Sequence, residues 1–173
     1  MSEAIVIVGA KRTPIGAMQG KFNSVTASQL GATAIKAALE QAGVGPTEVD
    51  DLIMGCVLPA GQGQAPARQA ALAAGLDKAT PCTTINKMCG SAMKAAMLAA
   101  DEIASGDAAV VVAGGMESMT NAPHLLPKAR GGYRYGHAKV LDHMAFDGLE
   151  NAYDGKPMGH FADKTAEKYG FTR

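Results

Sequence analysis

Residues 82–105 run Cys82-Thr83-Thr84-Ile85-Asn86-Lys87-Met88-Cys89-Gly90-Ser91-Ala92-Met93-Lys94-Ala95-Ala96-Met97-Leu98-Ala99-Ala100-Asp101-Glu102-Ile103-Ala104-Ser105. Three β-branched residues in a row, Thr83, Thr84 and Ile85, predict a strand over 83–86. Gly90 and the Ala, Met and Leu residues after it predict a helix over 90–105. Within that helix the only charged residues are Lys94, Asp101 and Glu102, so it has almost no water-facing stripe. A helix apolar nearly all round is expected to be covered on both faces in the complete protein, which asks for a layer on either side of it.

Cys89 falls where the strand turns into this helix. Unpaired backbone N–H groups and the positive end of the helix dipole favour negative charge on a sulfur placed there, and the thiolate is the nucleophilic form; burial acts in the opposite sense. Gly90, Ser91 and Ala92 keep the approach to the sulfur free of bulk, as a covalent acyl intermediate requires. Local physics alone makes Cys89 a candidate reactive cysteine. The competing reading is a small buried hydrophobe at a helix start.

Working outward, the β-branched residues at 5–8 before Gly9 predict a buried opening strand. A helix over 26–41 follows, with Thr26 or Ser24 as its cap and Gly43 as its stop. A strand over 49–57, an Ala-rich helix over 65–74 stopped by Gly75, and a strand over 108–113 ending in Gly114-Gly115 complete the alternation. Repeated strand-helix units imply α/β architecture with largely parallel pairing. After Met119 the periodicity is lost until a helical pattern over 163–169, so a boundary is expected near residue 120, between a core half (1–120) and a second region (121–173). That last pattern stops without a core-closing element, and a longer parent protein is expected.

Composition narrows the function classes. Sixteen basic and sixteen acidic residues cancel, so there is no global field of the kind that marks nucleic-acid or acidic-membrane binders. The three cysteines, 56, 82 and 89, form no C-x-x-C pair and sit with no His at metal-ligand spacing, so neither a disulfide framework nor a metal site is expected. No apolar stretch reaches membrane-spanning length and the start lacks a signal-peptide pattern, which makes the cytoplasm the expected compartment. Gly9 to Gly20 matches neither dinucleotide nor phosphate-loop spacing, and Gly114-Gly115 lacks a third glycine at the right offset, so no nucleotide cofactor is implied.

Four separated segments resemble the thiolase family, and the acetyl-CoA acetyltransferases within it. They are Ala10-Lys11-Arg12-Thr13-Pro14-Ile15-Gly16; the stretch from Gly55-Cys56-Val57-Leu58-Pro59 through Gln64-Ala65-Pro66-Ala67-Arg68-Gln69; Asn86-Lys87-Met88-Cys89-Gly90-Ser91-Ala92-Met93-Lys94-Ala95; and Ala113-Gly114-Gly115-Met116-Glu117-Ser118-Met119. Ketoacyl synthases, condensing enzymes of the same fold, also use a Cys at a buried helix start, but the Gly-Gly-Met-Glu-Ser and Gln-x-Pro-Ala-Arg-Gln segments favour thiolase. The resemblance implies a layered α/β/α/β/α fold, of which this chain supplies the N-terminal half and the beginning of the loop domain. It also implies that Cys89 accepts an acyl group from acetyl-CoA and passes it to a second acetyl-CoA, giving acetoacetyl-CoA and CoA, or the reverse thiolysis. Coenzyme A thioesters are then substrates and no cofactor is needed. The full-length protein is expected to be a homo-oligomer, a dimer or tetramer.

The second region fits this picture as resemblance. Lys128, Arg130, Arg134 and Lys139 make it locally cationic, corresponding to an excursion that assembles tetramers and attracts CoA phosphates, with Tyr133, Arg134 and Tyr135 as interface candidates. Met158 matches a position lining the acyl pocket, although Lys156-Pro157 precede it where many short-chain relatives place a His. Met88, Met93 and Met158 suit packing as well as substrate contact. Thiolases carry three further catalytic motifs, an Asn-Glu segment, a Gly-His-Pro segment and a Cys-x-Gly-Gly-Gly segment. None occurs in these 173 residues, and His124, His137, His143 and His160 lie outside any such context. By itself the chain is expected not to turn over. The alternative is a non-catalytic truncated subunit or assembly fragment that needs a second chain.

Overall fold

A computed structural model describes residues 4–173, which fall in two compact units divided between Asn121 and Ala122. In the first unit, helix α1 (Ala27–Ala42) starts at Thr26, whose extended backbone (φ −73°, ψ 158°) frees its hydroxyl to accept the Gln29 N–H. The Gln29 side chain in turn accepts the Thr26 N–H, so two orphan donors of the first turn are satisfied reciprocally. Gly43, at φ 66°, ends the helix in the left-handed region, and the next N–H, from Val44, closes back on Leu39 at 3.2 Å. That is the glycine stop expected where the apolar period ends.

A three-stranded parallel sheet has β1 (Asp51–Gly55) at its centre, flanked by β2 (Cys82–Ile85) and β3 (Val111–Gly115). Strands buried on both faces read as continuous apolar runs, and Leu52, Ile53 and Met54 are all at most 2% exposed. Leu52 and Met54 join Ile35, Leu39, Ala70 and Met116 in the main core under α1 and α2 (Pro66–Ala74). Ile53 points to the opposite face by strand alternation, the face on which α3 (Ser91–Ser105) packs. The expected α/β class with parallel pairing is what forms.

One expectation fails. Residues 5–8 form no strand: Ile5, Val6, Ile7 and Val8 are 45%, 67%, 87% and 62% exposed. β-branched composition favours extended backbone, but a strand exists only with a ladder partner, and none lies beside this run among the described residues. The chain is instead fixed just after it, where the Ala10 N–H reaches Gln41 Oε1 at 3.0 Å and Gly9 lies too close to the Ala38 carbonyl for a side chain. The cover expected on both faces of α3 in the complete protein is present on one face within this unit. Ser91, Ala95 and Ala99 form one buried stripe at four-residue spacing, while Met93 and Met97 stand 71% and 55% exposed. Within this unit the sheet covers one side of the helix only.

The second unit pairs two short antiparallel strands, β4 (His124–Leu125) and β5 (Leu141–Asp142), followed by a π-helical turn (Ala145–Leu149) and helix α4 (Met158–Tyr169). Tyr133 donates its hydroxyl to the Pro127 carbonyl, Tyr135 is exposed, and α4 has no buried residue.

The first unit's core depends on β1. Replacing Leu52, 0% exposed, with Ala leaves a cavity and should lower unfolding free energy by about 3 kcal/mol. Urea unfolding with an unchanged midpoint would refute that placement.

Candidate active site at the start of α3

The position of α3 over the sheet is set by two glycines. Gly55 ends β1 and Gly115 ends β3, and the two are partners in register. A Cβ at Gly55 would stand 2.5 Å from the Ser91 Cβ and 2.8 Å from the Ser91 carbonyl carbon; one at Gly115 would stand 2.9 Å from the Ala92 Cβ. No side chain fits in either place, and at Gly55 the obstruction includes backbone that cannot swing away. The first turn of α3 therefore rests directly on the carboxyl ends of two strands, and the loop before it sits just beyond them.

That loop is exposed yet ordered by hydrogen bonds. Asn86, Lys87, Met88 and Cys89 are exposed, and Met88 has φ 51°, in the left-handed region. For a residue with a side chain that conformation costs about 1–2 kcal/mol, and it persists only where the surroundings dictate it. The Asn86 side-chain oxygen accepts the Met88 N–H at 2.9 Å. Ser91 is 4% exposed; its hydroxyl accepts the Lys87 N–H at 2.8 Å and donates to the Met88 carbonyl at 2.5 Å. The Ser91 N–H reaches the same carbonyl at 2.9 Å. With the Ser91 hydroxyl turned back into the loop and its N–H on the Met88 carbonyl, Gly90 at the helix start supplies no side-chain cap, and α3 begins uncapped just after the exposed Cys89.

A second network holds the neighbouring turn. Glu117, just after β3, accepts the Val57 N–H at 2.7 Å and the Leu58 N–H at 3.1 Å. The Val57 carbonyl receives the Asn86 side-chain amide at 3.4 Å, so the two loops are tied together. The Cys56 thiol donates to Glu117 at 3.5 Å and accepts from Gln62 at 3.3 Å. Burial, reinforced by the nearby Glu117 charge and only partly offset by the Gln62 hydrogen bond, pushes this thiol up to about 11. Cys56 is a buried structural thiol, and Cys82, half-buried and also pushed up by burial, is no better suited to attack. Cys89 is the exposed one.

The family model "Thiolase, N-terminal domain" matches residues 5–173. The chain belongs to the thiolase family. It is 54% identical over 169 residues to an acetyl-CoA acetyltransferase of Cupriavidus necator and 50% identical over 169 residues to one of Schizosaccharomyces pombe; in each case 98% of this chain aligns with 43% of the relative. It is 51% identical to a Xenopus laevis protein named acetyl-CoA acetyltransferase A, mitochondrial, over 98% of this chain and 40% of that one. The chain thus spans less than half the length of these curated relatives.

Three of the four thiolase-like segments converge on the start of α3: the turn after β1, the Cys89 loop and the end of β3. The fourth, around residues 11–16, faces residues 115–120 across a cleft of about 480 Å³ that Cys89 does not line. Met158 belongs to the other unit, where it is the first residue of α4 and 53% exposed. There, His143 is buried with its Nδ1 2.5 Å from Asp147. No helix of the described residues is long and apolar enough to cross a membrane. Gly55, Asn86 and Glu117 carry no individual role in the sequence alone, and Ser91 is expected there only to keep the approach to the sulfur free of bulk. The available signals were a glycine ending an apolar strand, Asn two residues before a turn, and an acid two residues after an apolar strand.

Two outcomes follow for the thiolase chain. Gly55→Ala should lower stability by about 1–3 kcal/mol, because the new methyl meets the α3 backbone; a variant as stable as wild type in urea would show that the first turn moves freely. Between pH 9 and pH 11, stability should fall, since the raised Cys56 thiol stays protonated in the fold while its unfolded counterpart ionises. Cys56→Ala should flatten that part of the profile, and an unchanged slope would exclude Cys56 as its source.

Proposed function

We propose that Cys89 is the acyl-accepting nucleophile of a thiolase that condenses two acetyl-CoA molecules to acetoacetyl-CoA and CoA, or runs the reverse thiolysis of a 3-ketoacyl-CoA. The observation that carries this is an exposed thiol at the uncapped start of α3, in a chain about half identical to proteins named acetyl-CoA acetyltransferase. In the first step the sulfur anion attacks the thioester carbonyl carbon, the bond from that carbon to the CoA sulfur breaks, and CoA leaves as a thiolate that takes up a proton. A base then removes a proton from the methyl of a second acetyl-CoA. The resulting carbanion attacks the acyl-Cys89 carbonyl, and the Cys89 sulfur leaves as the anion that began the cycle.

In this chain Cys89 stands exposed just before the start of α3, and the glycines beneath that start fix the distance of its first turn from the sheet. The base and oxyanion donors belong, by resemblance, to motifs absent from these 173 residues. Such groups act as a unit, so this chain alone is assigned no turnover. That same absence is the one observation favouring the alternative, a non-catalytic chain that works through a second one. CoA thioesters serve as substrates without a separate cofactor, Met158 contributes to the acyl pocket, and the working protein is a cytoplasmic homodimer or homotetramer.

The test is acetyl transfer from isotopically labelled acetyl-CoA to the protein carrying this chain, stopped with acid and mapped by peptide mass spectrometry. Label should sit on the Cys89 peptide and vanish in Cys89→Ser. Product formation with label on Cys56 or Cys82, or with no protein-bound label, would overturn the assignment.

A further inference from the structure

Four residues before α3 are exposed, so packing does not hold them, and yet one of them carries a side chain in the left-handed region. What holds Met88 there is hydrogen bonding to both of its peptide groups, from Asn86 on one side and Ser91 on the other. The geometry points to Asn86 and Ser91 as a pair of positioning residues that clamp Met88 in its left-handed conformation and thereby fix where the Cys89 sulfur stands for acyl transfer. This rests on the reading of Cys89 as nucleophile.

Each half of the clamp is anchored to something that does not move with the loop. Ser91 is buried against Gly55, where the helix meets β1, and its hydroxyl is used in full, accepting from Lys87 while donating to Met88. Asn86 is tied through its amide to the Val57 carbonyl, and Val57 is held by Glu117 at the end of β3. The loop is therefore referred to β1 through Ser91 and to β3 through Asn86. A serine beside a helix start ordinarily caps it by accepting a first-turn N–H; the Ser91 hydroxyl instead turns back to Lys87 and Met88, and the helix start has no side-chain cap. Were the clamp released, Met88 would relax to negative φ, and the peptide between Met88 and Cys89 would rotate and carry the sulfur with it. Small misplacements of a nucleophile reduce rate without weakening substrate binding.

The experiment measures two rates on the protein carrying this chain: acetylation of Cys89 by acetyl-CoA, as a function of its concentration, and alkylation of Cys89 by iodoacetamide across pH. Asn86→Ala and Ser91→Ala should each lower the saturating acetylation rate roughly tenfold, leave half-saturation within about twofold, and alter the alkylation profile. Asn86→Asp, which keeps the acceptor for the Met88 N–H but loses the donor to the Val57 carbonyl, should recover part of the loss. Met88→Gly placed in the Asn86→Ala background should recover part of it, because glycine needs no clamp to sit at positive φ. Should Ser91→Ala fail to fold, the exposed Asn86 variants carry the test alone. Wild-type rates in folded Asn86→Ala, a loss confined to half-saturation, or no recovery with Met88→Gly would overturn the clamp. If wild-type protein acetylates elsewhere, the nucleophile reading falls, while iodoacetamide still reports on the clamp because it needs only the thiol.

Discussion

The first turn of α3 lies on Gly55 and Gly115 with no room for a methyl group at either, and the geometry around Cys89 follows from that contact. A parallel sheet presents its strand ends as a row, and a helix that begins above the row can come as near as the terminal side chains allow. Removing those side chains at two neighbouring, paired positions lowers the helix onto the backbone. The buried Ser91 is then pressed against β1, and its hydroxyl can reach only the loop it came from. Glycine here serves close approach and not backbone freedom, since neither residue has positive φ.

Because the loop in front of that contact is exposed, its shape comes from polar bonds. Apolar packing would have buried the sulfur and closed access to it. Hydrogen bonds from Asn86 and Ser91 impose one backbone path while leaving the thiol open, and the Glu117 side chain does the same for the turn after β1. The contrast with Cys56 makes the point. Two thiols lie in adjoining loops, and the one that packing encloses is driven away from ionisation while the other remains accessible.

How much of this a reader could take from the sequence depended on whether the deciding interaction was local. The ends of α1 were legible because Thr26, Gln29 and Gly43 carry their own signals, and the strand-to-helix turn at Cys89 stands where β-branched residues give way to Ala and Met. The bounds of β3 were not. It was expected at 108–113 and runs Val111–Gly115, because the Asp50 side chain takes the Ala109 and Val110 N–H groups before the ladder begins, and because its terminal glycines stay paired to let α3 approach. Helix α4 starts five residues before the expected 163 because Pro157, extended at φ −67° and ψ 150°, leads into it. The run at 5–8 carries the composition of a strand, but no composition can state that a ladder partner is at hand. At the site, Cys89 was visible as a residue type in a context. The roles of Gly55 and Glu117 were hidden because each acts on residues far away in sequence, and that of Ser91 because its hydroxyl reaches back into an irregular loop rather than along a regular element.

Among the apolar surfaces left uncovered in the described residues are the run at 5–8 and the Met93 and Met97 side of α3. Apolar area of that kind is ordinarily covered by another layer, as the layered fold implied by the resemblance would provide. Neither of these two surfaces includes Cys89 or the Asn86, Ser91 and Glu117 side chains that hold the loops around it. The most direct measurement is a crystal structure of the protein carrying this chain after exposure to acetyl-CoA. Acetyl density on the Cys89 sulfur, with Met88 still at positive φ and Ser91 still seated on Gly55, is the predicted result. An acetyl group on any other residue, or a Cys89 loop with Met88 relaxed to negative φ and Ser91 lifted from the sheet, would contradict it.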